Sequence, residues 1–123
     1  MIHTAHLPSV KRLPLGDIHG TDVLYQVFFE DYPEFDSVKP ETMKTFMMFS
    51  RVLIKSGTTN QMHTHNDQEQ VYFVMQGGGI IQVGEEEKRV TSGDAIFLPA
   101  AIPHGFVNDT EKLTILLMIG AKV

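Results

Sequence analysis

Three histidines carry the most specific chemistry in this sequence. His63 and His65 flank Thr64, and His104 follows the proline-bounded stretch Pro99 to Pro103. Residues two apart on a strand project from the same face, so the imidazoles of His63 and His65 could chelate one ion. The chain has no cysteine, which excludes disulfides, thiolate catalysis, iron–sulfur clusters and cysteine zinc sites. Metal chemistry therefore rests with imidazole, carboxylate and amide oxygen. Glu69 and Gln70, a few residues past the histidine pair, are candidate oxygen donors. A lone pair of this kind can equally be two hydrogen-bonded strand histidines. His3, His6 and His19 sit in an N-terminal region without clear periodicity and read as solvent-exposed or capping residues.

Short strands must position these side chains. Thr45 to Lys55, Val71 to Gln76, Ile80 to Val83, Lys88 to Thr91, Ala95 to Leu98, His104 to Asn108 and Leu113 to Ile119 are apolar or β-branched runs. Glycine and polar turn signals bound them, and the polar tip Gly84 to Glu87 reads as a hairpin. Val23 to Glu30 fits a strand or one or two helical turns, and Asp31 to Pro40 reads as loop. No segment after residue 40 keeps a 3.6-residue period, so the fold class is all-β, a sandwich or small barrel. At 123 residues, with 42% hydrophobic and 20% charged, the sequence describes one globular domain and not a disordered chain. The net charge of −5 comes without a basic patch, which argues against nucleic acid or an anionic membrane as partner. No apolar run is long enough to span a bilayer, no secretory signal is evident, and the expected location is the cytoplasm.

Spacing then adds a resemblance. Gly57 is followed after five residues by His63-Thr64-His65, after four more by Gln70, and after six more by Gly77. A second block runs Gly93, five residues, Pro99, one residue, Ala101, two residues, His104, three residues, Asn108. Together they resemble the two motifs of the cupins, with Gln70 where that family has glutamate and Ala101 where it has glycine. The resemblance implies a cupin-type jelly-roll barrel, a double-stranded β-helix of two antiparallel sheets. Residues 41–123 would form the barrel and residues 1–40 an N-terminal arm or extra strands. It also implies one divalent transition-metal ion (iron, manganese, nickel, zinc or copper) on His63, His65, His104 and the glutamate position. The six-residue gap to Gly77 selects Gln70 for that position, and Glu69 is the fallback if the loop slides by one residue.

Other assignments are softer. Tyr72, Val74 and Phe106 share parity with Gln70 and His104, so Tyr72 and Phe106 are candidates for contacting substrate, with ordinary core packing as the competing reading. Arg51 interrupts an apolar strand and could clamp a carboxylate or phosphate, or lie on a sheet surface. Glu69 and Tyr72 are the candidate catalytic groups once the ligands are assigned. The resemblance fits a metal-dependent enzyme on a small organic molecule, foremost a dioxygenase on an oxygen-rich substrate, with isomerase or decarboxylase chemistry also open. A metal-dependent binder of a sugar or organic acid without turnover is the alternative. Finally, Val71 to Met75 and Leu113 to Ile119 are apolar on both faces, which a barrel cannot bury alone. A homodimer is expected, with Val23, Tyr25, Val27 and Phe29 alternating as a strand that covers the face or joins the partner's sheet.

Overall fold

Strand β5, Gln68–Gln76, shows how the sequence dictates the architecture. Gln68, Gln70, Tyr72 and Val74 are buried while Glu69, Val71, Phe73 and Met75 are exposed, the two-residue period of a strand with one face on a core. The computed structural model describes residues 5–14, 22–30 and 43–123. Among them the remaining strands are β1 Leu13–Pro14, β2 Val23–Glu30, β3 Phe46–Ile54, β4 Thr59–His63, β6 Gly78–Val83, β7 Glu86–Thr91, β8 Ala95–Leu98, β9 His104–Val107 and β10 Thr114–Lys122. A single 3-10 turn, Leu7–Ser9, precedes them.

The strands make two antiparallel sheets, one ordered β1-β2-β3-β10-β5-β8 and the other β4-β9-β6-β7. This is the expected all-β jelly roll. Tyr72, Val74, Leu98 and Leu116 from the large sheet meet Ile81 and Phe106 from the small one in a single core. Each such side chain contributes roughly 1.5–3 kcal/mol by leaving water.

The motif residues outside the histidines hold the sheets together. Thr114 Oγ1 accepts from the Gly78 N–H at 3.1 Å and donates to the Gly78 carbonyl at 2.7 Å, a buried clamp between β10 and β6. Gly77 beside it has φ +78°, and a Cβ there would stand 2.6 Å from Thr114 Oγ1, so both conformation and space require glycine. Asn108 Nδ2 donates to the Ile54 and Lys112 carbonyls, both at 2.8 Å, and its Oδ1 accepts from Thr110. That buried amide closes a turn and is fully occupied in doing so.

Several sequence expectations shift. Val23–Glu30 is a strand, and it pairs with β3 of its own chain, while Val71, Phe73 and Met75 on the outer face of β5 stay exposed. The arm nevertheless reaches the outer face near β2, where Gln26 Nε2 donates to the Val10 carbonyl at 3.2 Å. Gly78 and Gly79 lie inside β6 and do not form the preceding turn. Asp31 to Pro40, His3 and His19 lie outside the described residues, and His6 is exposed. On the surface, Arg89 donates to Asp109 Oδ1 at 3.1 Å and holds that carboxyl below its usual range by hydrogen bond and charge. The lowered value means that this pair's contribution is present above the ordinary carboxylate range and is lost as the pH falls from there through the lowered value.

Candidate metal centre

Two of the three histidines arrive from adjacent strands of the small sheet. His63 ends β4, His104 opens β9, and the two are register partners. The sequence places His65 on the same strand, but β4 stops at His63, so His65 stands in the connection to β5. Its position is set from the other side. The Ala101 N–H donates to the His65 carbonyl at 2.8 Å, tying the two motif loops together.

The rings converge. Ring centroids lie 4.4 Å apart for His63 and His104, 4.9 Å for His63 and His65, and 5.5 Å for His65 and His104. One ligating nitrogen from each falls within 4.8 Å of the others. His104 is buried and the other two are half-buried, so the group is partly open to solvent. His63 Nδ1 lies 2.7 Å from the Gln61 carbonyl. A carbonyl can only accept, so Nδ1 donates to it, the kind of orienting bond that a second group gives a metal-ligating histidine.

Gln70 lies on the inward face of β5, opposite Gly120 of β10 and Leu98 of β8. Its Nε2 donates to Gln68 Oε1 at 3.1 Å, and its buried Oε1 has no hydrogen-bond partner among the described residues. Two residues on, the Tyr72 ring stands 6.1 Å from the His104 ring. Burial, and then the proximity of Tyr25, raise the Tyr72 phenol well above its ordinary range, so it is a donor and not a base. Tyr25 is raised as well, mainly by burial, against a hydrogen bond with Asn60. Phe106 is buried on the inward side of β9, in the core.

Two candidates do not join this group. Glu69 is exposed, opposite Ala121, because strand parity turns it away from Gln70, and the fallback ligand is corrected on that ground. Arg51 lies on the outer face of β3, between inward-facing Ser50 and Val52, opposite Leu117 and Gln26. It cannot reach the barrel interior as a substrate clamp. Gln68 is the residue the motif spacing passed over; its parity with Gln70 was the available signal.

Three imidazoles whose nitrogens converge in this way suit a divalent transition metal, and the buried Gln70 amide oxygen has no hydrogen-bond partner among the described residues. The family model described as "Cupin domain" matches residues 50–120. The chain belongs to the cupin family. An uncharacterized protein of Streptomyces coelicolor is 35% identical over 65 residues, 53% of this cupin and 61% of that protein. The matched part thus spans less than two-thirds of that relative's length. Among solved structures, a predicted oxalate decarboxylase of Thermotoga maritima superposes with TM-score 0.80 at 12% identity, covering 100% of both chains. A polyketide cyclase of Streptomyces resistomycificus gives TM-score 0.76 at 18% identity, covering 99% of this cupin and 80% of that chain. At those identities the likeness concerns the fold alone.

Ala101 is where this cupin departs from the family's glycine, and it is the one described non-glycine residue at positive φ, +65°. A Cβ in that region costs about 1–2 kcal/mol, part of which glycine gives back through a more flexible unfolded chain. Ala101→Gly is expected to stabilise the protein by about 0.5–1 kcal/mol, read as a higher denaturant midpoint at unchanged m-value.

Proposed function

We propose that this cupin is a metal-dependent enzyme acting on a small oxygen-rich organic molecule, with dioxygenase chemistry foremost. One divalent transition-metal ion would be held by His63, His65 and His104, with Gln70 as the fourth ligand. The carrying observation is the convergence of one nitrogen from each of three imidazoles within 4.8 Å. A bound ion would supply Lewis acidity and open coordination positions. The chain's own side chains supply the rest. Gln70 adds an oxygen donor without charge, so the ion's full +2 would remain to attract an anionic or oxygen-rich ligand, where glutamate would reduce it to +1. Tyr72 offers a phenolic proton beside His104, and Phe106 and Val74 keep bulk water out.

The alternative is a metal-dependent binder of a sugar or organic acid without turnover. It is favoured by the lack of a placed base among the described residues: Tyr72 is held protonated and Glu69 faces outward. Protein loaded separately with iron, manganese and nickel, supplied with oxygen and a panel of flavonols, diketones and small acids, separates the two. Oxygen consumption with product formation supports the enzyme. Ligand retained intact in every metal form supports the binder.

We also propose a homodimer formed through the outer face of the large sheet, where Val71, Phe73, Met75 and Phe97 are exposed. A second copy is the occupant that the size of this patch suits.

A further inference from the structure

Glutamine at a ligand position has a problem that glutamate does not. A carboxylate presents oxygen whichever way it turns, whereas an amide presents oxygen one way and a hydrogen-bearing nitrogen the other. Only the oxygen can ligate a cation. Something must therefore decide which end of Gln70 faces the histidines.

Gln68 is placed to decide it. Both glutamines are on the inward face of β5 and both are buried, at 6% and 5% exposure. Gln70 Nε2 donates to Gln68 Oε1 at 3.1 Å, and the amide end left over is the oxygen, without a partner among the described residues. Space for this pair comes from β10. Gly120 is the register partner of Gln70, and a Cβ on it would stand 2.5 Å from Gln68 Oε1 and 3.9 Å from Gln70 Cγ. Any larger residue at 120 would push Gln68 off the acceptor position.

We propose that Gln68 is a positioning residue: it holds the Gln70 amide with Oε1 as the free end, and Gly120 provides the room in which it does so. Gln68 does not itself touch the ion. The inference rests on the reading that Gln70 completes the His63, His65 and His104 group.

The test is a double-mutant cycle on the full chain with Co(II) as probe, read by titration and by the d–d absorption spectrum. Gln68→Leu is expected to weaken Co(II) on the order of tenfold, the scale of lost ligand-orienting partners, and to shift the spectrum. In a Gln70→Glu background the same change is expected to do little, because a carboxylate needs no orienting. Gly120→Ala should reproduce both results, and it serves as the second route if Gln68→Leu fails to fold. An equal loss in both backgrounds would show that Gln68 merely supports the barrel and would overturn the proposal, as would wild-type affinity and spectrum in both variants. Gln70→Ala separates the two levels. Unchanged Co(II) binding there means Gln70 is not a ligand, and the underlying reading fails first. A changed spectrum there, with none from Gln68→Leu, leaves that reading standing and removes only the positioning role.

Discussion

His104→Ala is expected to bind divalent transition metal at least on the order of 100-fold more weakly than the parent protein. Loss of a group that merely orients a ligand costs about 10–100-fold, and this change removes a ligand outright. No described carboxylate can step in, because Glu69 is exposed on the opposite face of β5 and the candidate group consists of His63, His65 and His104 only. The effect should also appear in stability. A ligand present at about 1,000 times its dissociation constant adds about 4 kcal/mol to folding, so metal should raise the unfolding temperature of the parent and leave that of the variant nearly unmoved. His104 is 2% exposed, so truncation also leaves a cavity and lowers the metal-free stability. Comparing each protein with and without metal removes that contribution. His6→Ala, at an exposed position, is the control and should behave as the parent. Metal content by mass spectrometry and thermal unfolding with and without zinc check the expectation, and full metal loading in His104→Ala would defeat it.

Much of this site is legible in the sequence because its positions obey strand parity. Gln70, Tyr72 and Val74 alternate with Val71, Phe73 and Met75, and the burial pattern of β5 follows that alternation from Gln68 to Met75. The same parity turns Glu69 and Arg51 away from the interior. What parity does not reach is His65, which lies past the end of β4 and is held by a hydrogen bond from Ala101, far off in sequence. β4 also carries a weak strand signal. Thr59 to His63 has one buried residue, Asn60, and no apolar run, since its pairing with β9 is sustained by backbone bonds and not by its own hydrophobicity. Gln68 was passed over for a different reason. Its role depends on an absent side chain at Gly120, on a strand it meets only in the folded sheet. Spacing rules carry no information about such a vacancy.

The second large effect is expected on assembly. Across the outer face of the large sheet, Phe97, Val71, Ile119 and Phe49 are successive register partners, and Ala95, Phe73 and Leu117 form a parallel row ending at Arg51. Phe46, Phe73 and Phe97 are 57%, 41% and 58% exposed. With about 200 Å² per phenylalanine side chain, these three alone leave roughly 300 Å² of ring in water. Val71 at 41% and Met75 at 48% enlarge the patch, and an apolar groove of about 220 Å³ between Phe29, Met43, Phe46, Phe49 and Ile119 continues it. Soluble monomers rarely leave apolar patches beyond a few hundred Å², while a stable interface buries about 800 Å² per partner. The patch is large enough to form the centre of such an interface, and a two-fold pairing would set the same face against itself. The parent should therefore sediment at twice 13.8 kDa at micromolar concentration. Phe97→Glu and Phe73→Glu should each drive it to monomer, since a two-fold contact brings every introduced charge near its own copy in a desolvated centre. Both residues point away from the histidines, so the monomeric variants should keep full metal binding, which distinguishes lost assembly from lost fold. A parent that sediments as a single 13.8 kDa species, or variants that remain dimeric, would show that this face is not the contact.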